Sequence, residues 1–201
     1  MPRPLVPRRR ERILDAAEAL VLERGFDAMS VAAVAERAGI GKGAVYLEFD
    51  SKRDILDALL RRGTARMEAR VGAELGDRPP LSAAYRAAVR TLLDDRLMAA
   101  AFLDDRGVLG THVDGVTDGR YRVRHEGVIE WLRSLQERGM LALDVDPEHL
   151  ALALSSATIG LLSAAKLIGP VTPAQLEGAI ESLARMAATF EPKTAVPERE
   201  E

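Results

Sequence analysis

Apolar residues recur at helical spacing along most of the chain, and the places where that rhythm breaks divide it into elements. From Arg9 to Arg24 the positions Ile13, Ala17, Leu20 and Val21 fall on one face, with Arg12, Asp15, Glu18 and Glu23 opposite. Gly25 stops this helix, and Phe26 is placed to fold back onto it. The next pattern is shorter. Ser30 can accept from the orphan amides of a helix that begins Val31-Ala32-Ala33, and Gly39 supplies the left-handed residue that ends it after about two turns. After Ile40 and Gly41 the chain can re-enter a helix at Lys42, with Val45 inward and Lys42, Gly43, Ala44 and Tyr46 outward. Ser51-Lys52-Arg53-Asp54 has the form of a capping box, and Ile55, Leu56, Leu59 and Leu60 follow it in a helix that runs on to Gly76.

Two short helices joined by a glycine-bearing turn have the layout of a helix-turn-helix. The outward face of the second carries small residues, a lysine and a tyrosine. That combination permits close approach to a phosphate backbone, with Lys52 in the first turn of the following helix as a second cation.

Gly76 to Pro80, GDRPP, is the clearest break, and the stripe Leu81, Tyr85, Val89, Leu92 then predicts a helix from Leu81 to Met98. The glycine- and aspartate-rich run DDRGVLGTHVDGVTDG predicts a long surface loop with room for one short helix, a mobile segment at a pocket mouth being the other reading. Asp94-Asp95-Arg96 and Asp104-Asp105-Arg106 are read as solvated helix faces. Tyr121, His125, Val128, Leu132 and Leu135 form a stripe that ends at Gly139, with Trp131 beside it. Asp146-Pro147 opens a helix with no charge between His149 and Lys166, which predicts burial on all sides. Thr172-Pro173-Ala174-Gln175 opens the last helix, whose inner face is Leu176, Ile180, Leu183, Ala187 and Phe190. This much apolar surface fits a two-helix-by-two-helix interface between copies, with Ser156, Gly160, Leu161, Leu176, Ile180 and Leu183 on it. A buried hairpin in a monomeric bundle fits the same pattern.

Composition supports an all-α fold. The 201 residues are 47% apolar and only 4% aromatic, and alanine, leucine and arginine are abundant. The absence of cysteine excludes disulfides, thiolate metal sites and a cysteine nucleophile. The arginine- and proline-rich amino terminus is not a secretory signal, and no uncharged run suits a membrane span, so a cytoplasmic protein is expected. Net charge is −3, but residues 1 to 62 hold 12 basic and 10 acidic side chains. Arg3, Arg8, Arg9, Arg10 and Arg12 are opposed locally only by Glu11, an excess suited to phosphates. The histidines at 112, 125 and 149 have no metal-ligand spacing, GIGKG at 39 to 43 lacks the P-loop spacing, and no nucleophile elbow is present. No enzyme, metal or cofactor is expected.

Arg12-Ile13-Leu14-x-Ala16-Ala17, Glu23-x-Gly25-Phe26, Ser30-Val31-x-x-Val34-Ala35-x-x-Ala38-Gly39, Lys42-Gly43-x-x-Tyr46-x-x-Phe49 and Ser51-Lys52 together resemble the amino-terminal domain of the TetR family of transcriptional regulators. The resemblance implies a three-helix DNA-binding domain, a carboxy-terminal helical bundle for ligand binding and dimerisation, and repression relieved by a small molecule. By position it implies that Ser30 and Lys52 contact phosphate and that Lys42, Gly43, Ala44 and Tyr46 lie on the recognition helix. The expected domains are a basic arm at 1–8, a DNA-binding domain at 9–55, an effector and dimerisation domain at 56–190, and a disordered tail at 191–201. Tyr85, Phe102, Tyr121, His125 and Trp131 are candidate effector contacts. The partners implied are a palindromic DNA duplex, a small and mostly apolar effector and a second copy of the chain, with no membrane. The chain departs from the family pattern at Gly41, where a capping Ser or Thr is frequent, and at Leu47-Glu48, which replaces an aromatic pair. Those departures and the acidic balance leave open a helical sensor or scaffold that does not bind DNA. With few outward groups able to reach base edges, sequence preference is expected from thymine methyls, the arginine arm or DNA shape.

Overall fold

The computed structural model describes residues 8–76, 79–103, 105–115 and 120–192, and among them helices follow one another without a strand. They are α1 (Arg9–Ala28), α2 (Val31–Ala38), α3 (Lys42–Tyr46), α4 (Lys52–Leu75), α5 (Leu81–Asp94), α6 (Arg96–Leu103), α7 (Arg106–Leu109), a 3-10 turn (Gly110–Gly115), α8 (Arg120–Glu137), α9 (Pro147–Leu167) and α10 (Pro173–Ala188). The all-α class read from composition and periodicity is the class observed.

The helix ends are set by local chemistry. Ser30 Oγ accepts from the Ala33 amide at 3.1 Å, and Gly39, at φ 65°, closes α2 while the Ile40 amide reaches back to the Ala35 carbonyl. Ser51 Oγ accepts the Asp54 amide at 3.2 Å and donates to the Asp54 carboxylate at 2.8 Å. Asp146 accepts the Glu148 and His149 amides, and Thr172 and Gln175 close a reciprocal capping box. Caps of this kind contribute about 1 kcal/mol each.

The described residues pack as two units. The first draws on Met1–Glu68 and Leu92–Asp118, the second on Ala69–Thr91 and Gly119–Glu201. In the first, Ile13, Ala17, Leu20 and Val21 of α1 are buried with Phe26, Val34, Val45, Phe49, Ile55, Leu56 and Leu59. Each large aliphatic side chain buried here stabilises by roughly 1.5–3 kcal/mol, which holds α2 and α3 although neither is long enough to persist alone. In the second, Leu81, Leu132, Leu135, Leu141, Leu150, Ala151 and Ala187 form the core, with Trp131 and Phe190 packed against it. Arg86 and Arg90 of α5 pair with Glu177 and Glu181 of α10.

Several expectations are corrected. The stripe from Leu81 to Met98 is two helices, because Asp95 accepts the Met98 amide at 3.1 Å and starts α6; its carboxylate also takes Arg66 at 2.5 Å. Asp105 likewise caps α7 through the Gly107 amide at 2.8 Å. These aspartates are caps rather than solvated faces, while Asp104 lies outside the described residues. The expected surface loop is structured from 105 to 115, with Leu109 and His112 buried in the first unit. Glycine makes this packing possible. Gly25, at φ 77° and ψ 161°, interrupts α1 so closely against the Gly107 carbonyl that a Cβ would stand 2.8 Å from that oxygen. By packing, residues 92–115 and the first part of α4, to Glu68, go with the first unit. Nor is α9 buried on all sides: Leu152, Ile159 and Leu167 are exposed in the single chain. Residues 193–201 of the expected tail lie outside the described residues, whereas Glu191 is fixed by accepting the Ser82 amide at 2.8 Å.

Gly25→Ala should cost about 1–3 kcal/mol in a denaturant titration, since this backbone region is almost restricted to glycine and the added methyl meets the Gly107 carbonyl. Gly72→Ala, in open space within α4, should leave the midpoint unchanged or raise it. Equal midpoints for the Gly25 variant and wild type would contradict this packing.

Candidate nucleic-acid interface

The helix α3 is one turn long and is anchored by Val45, which is fully buried. Its other side chains stand on the surface. Lys42 and Gly43 are exposed, Ala44 is half-buried, and Tyr46 and Leu47 are 48% and 75% exposed. The Lys42 ammonium lies 5.8 Å from the centre of the Tyr46 ring, and nothing occupies the space where a Gly43 side chain would be. A base edge or phosphate can therefore approach the backbone closely there. Gly41 gives α3 no side-chain cap. Ser30, exposed at the start of α2, accepts the Ala33 amide with its oxygen and keeps its own proton for donation to an anion.

The expected cationic partners of this face are arranged differently. Lys52 turns back onto the end of α1, where its ammonium reaches the carbonyls of Phe26 at 3.2 Å, Asp27 at 3.1 Å and Met29 at 3.4 Å, and lies 4.5 Å from the Phe26 ring centre. All three of its N–H groups thus have an acceptor. A clamp of Tyr46 and Lys52 on one phosphate is not the arrangement present. The next residue, Arg53, is exposed in the same first turn of α4.

The arginine arm is also largely engaged. Arg9 donates from Nε and Nη2 to Glu48 Oε1 at 2.8 and 2.5 Å. Arg10 donates to the Glu48 carbonyl at 3.2 Å and lies 4.3 Å from the Phe49 ring centre. Arg12 reaches the Ala38 carbonyl at 2.5 Å and so caps the end of α2. Arg8 stays at the surface, 3.8 Å from Glu11, and Arg3 lies outside the described residues. The arm is therefore opposed by more than Glu11. Glu48, 39 residues away in sequence, is the partner that local charge counting missed.

Two further contacts brace the turn before Ser30. The Asp27 carboxylate accepts the Thr111 amide at 3.0 Å and its hydroxyl at 2.6 Å, bonds that hold its pKa below the ordinary carboxylate range. His112 packs edge-on to Phe26 with ring centres 5.4 Å apart, and its Nε2 is 3.4 Å from Asp57. Glu23 and Arg37 join α1 to α2 at 2.7 and 2.8 Å, an exposed pair that adds little stability.

The candidate effector residues fall in both units. Tyr85 is buried and hydrogen-bonds Thr158 Oγ1 at 3.1 Å, and Thr158 in turn donates to the Leu154 carbonyl; burial raises the pKa of this phenol. Trp131 is half-buried against the second core and His125 is partly exposed on α8. Phe102 belongs to the first unit, and the Tyr121 side chain lies outside the described residues. A groove of about 900 Å³ in the second unit is lined by Ala142, Val145, His149, Leu150 and Phe190 among others; Tyr85, His125 and Trp131 are not among its lining residues. Of the candidate interface residues, Ser156 and Gly160 are exposed and Leu161, Leu176 and Leu183 half-buried. Ile180 is 2% exposed and belongs to the chain's own interior.

Residues 13–59 match the family model described as bacterial regulatory proteins, tetR family. Over that segment the chain is similar to the TetR family. Among its relatives is the HTH-type transcriptional repressor KstR of Rhodococcus jostii, 35% identical over 54% of each chain, so that the chain spans about half the length of that relative. The HTH-type transcriptional regulator TtgR of Pseudomonas putida is 27% identical over 76% of this chain and 78% of its own. Solved structures with the same fold include an SmeT–triclosan complex, at TM-score 0.66 and 23% identity over 96% of this chain and 99% of that one. The fatty acid degradation regulator FadR of Bacillus halodurans aligns at TM-score 0.65 and 17% identity over 92% and 97%. KstR, TtgR and FadR are all named as regulators or repressors.

Lys52→Met should lower stability by about 1–2 kcal/mol, because it removes the ammonium from three carbonyls, of which that of Phe26 keeps the Met29 amide, and should leave the salt dependence of duplex binding unchanged. Arg53→Ala should keep wild-type stability and flatten the slope of log K against log salt by about 0.9. Fluorescence anisotropy across a salt series, with thermal melts, separates the two. A flattened slope for Lys52→Met at unchanged stability would return Lys52 to the phosphate-contacting role.

Proposed function

We propose that this chain is a homodimeric, DNA-binding transcriptional repressor of the cytoplasm, released from a palindromic operator by a small and mostly apolar effector. The observation that carries the reading is the exposed face of α3, where Lys42, Gly43, Tyr46 and Leu47 surround a single buried anchor, Val45. A one-turn surface helix with an uncrowded backbone and a lysine over a tyrosine suits insertion into a major groove. Tyr46 and Leu47 offer apolar contact to thymine methyls, and Ser30, Lys42 and Arg53 are the groups available to phosphates. The repressor names of the relatives support the same reading.

The dimer reading draws support from α9 and α10, where Leu152 is 60%, Ile159 47%, Leu167 75% and Met186 63% exposed in the single chain. Ser156 and Gly160 between them would let a partner helix approach closely. Two copies place two recognition helices on one duplex, with half-sites about 34 Å apart for successive major grooves. An effector that binds better to a dimer of another spacing must weaken DNA binding by the same factor by which DNA weakens effector binding. The triclosan complex of SmeT shows an apolar ligand held by a protein of this fold, which favours an effector of that character here. No helix among the described residues is long and apolar enough to cross a membrane.

Sedimentation equilibrium should give a dimer for the wild type and a monomer for Ile159→Glu. Only the dimer should bind tightly to a two-half-site duplex recovered by selection from a random pool. Tyr46→Ala should lose affinity for that duplex while remaining dimeric. A monomeric wild type would remove the two-fold operator, and a wild type that enriches no duplex would remove DNA binding itself.

A further inference from the structure

Glu48 stands two residues beyond α3, and its side chain is 21% exposed. It holds two arginines from the first turn of α1. Oε1 accepts from Arg9 Nε at 2.8 Å and Nη2 at 2.5 Å, Oε2 lies 3.8 Å from Arg10 Nη1, and the Glu48 carbonyl accepts that same nitrogen at 3.2 Å. The Arg10 guanidinium is stacked 4.3 Å from the ring centre of the adjoining Phe49, whose side chain is buried. The contact thus joins the start of α1 to the exit of the one-turn helix that reads the groove. It acts in two ways. The exit of α3 is fixed from outside its own hydrogen bonds, and two cations beside it already share the single charge of one carboxylate. A phosphate can recruit them only by displacing charge-assisted hydrogen bonds.

Phosphate attraction is the part of the binding free energy that every duplex shares, whereas discrimination comes from what differs between duplexes. A carboxylate that takes Arg9 and Arg10 out of the first term, and uses them to set the angle of α3, shifts the balance toward the second. We infer that Glu48 is a specificity-determining residue of the interface: it keeps Arg9 and Arg10 on the recognition helix and off the phosphate backbone. The inference rests on the reading of α3 as the groove-reading helix.

The test uses the full chain, a random-sequence duplex and the tightest duplex that wild type selects from a random pool, with anisotropy read from about 50 to 200 mM salt. Glu48→Gln should steepen the salt slope on the random duplex by about 0.9 to 1.8, one or two released arginines, and bind that duplex more tightly at low salt. Its preference for the selected duplex over the random one should fall. Arg9→Gln should leave the slope unchanged in the wild-type background and remove about 0.9 of it in the Glu48→Gln background. If circular dichroism shows that Glu48→Gln does not fold, Arg9→Gln and Arg10→Gln alone decide. Unchanged slopes support the inference, and a loss of about 0.9 in each overturns it, because both would then be phosphate contacts in the wild type. A folded Glu48→Gln with wild-type slope and preference overturns it while wild-type DNA binding stands. Failure of the wild type to bind any duplex removes the parent reading as well.

Discussion

A helix of five residues closes too few hydrogen bonds to hold its own direction, so whatever α3 does depends on what grips it from outside. Three grips are present. Val45 is buried between the helices of the first unit, Phe49 is buried just past the exit, and Glu48 is tied to Arg9 and Arg10. The outward residues are left with no structural duty, which is why a glycine, an alanine and an exposed leucine are tolerated there. A short reader held at its exit presents few side chains in a fixed pose. Such a surface suits recognition by shape and methyl contact more than by many bidentate hydrogen bonds.

The turn from Gly25 to Met29 is the second constraint, because α2 departs from it. Lys52 gathers its carbonyls, Asp27 is held by Thr111, Phe26 packs on His112, and Gly25 lies against the backbone of Gly107. The segment 105–112 therefore braces the base of the reading helices from one side and the first turn of α4 does so from the other. A change in either has no slack to absorb it, since a Cβ at Gly25 or Gly110 would already collide. This is the kind of close-packed contact through which a displacement in α6 or α7 reaches α2 without dissipating.

What was legible in the chain was local. The caps at Ser30, Ser51, Asp146 and Thr172 and the stops at Gly25, Gly39 and Gly139 depend on residues within one turn of each other, and each forms as its spacing dictates. What was hidden was long-range. Lys52 reads as an outward cation until the Phe26 carbonyl, 26 residues earlier, is placed beside it. Arg9 reads as a free arm until Glu48 closes on it, and Thr111 meets Asp27 across 84 residues. Charge counting gives the number of cations but not which way they point. Periodicity failed at 105–113 for a related reason: among those described residues only Leu109 and His112 are deeply buried, too few to set a rhythm, and backbone approach at glycines does the rest. The uncharged run of α9 between His149 and Lys166 showed that apolar surface exists; only the single-chain structure showed that Leu152, Ile159 and Leu167 are left uncovered.

In the proposed dimer, α3 enters a major groove at two symmetric positions. Methylation interference on the selected duplex tests it most directly. Methyl groups on guanine N7, in the major groove, should block binding in two patches separated by about one helical turn, whereas methyl groups on adenine N3, in the minor groove, should not. Interference confined to the minor groove, or absent from both, would contradict the account.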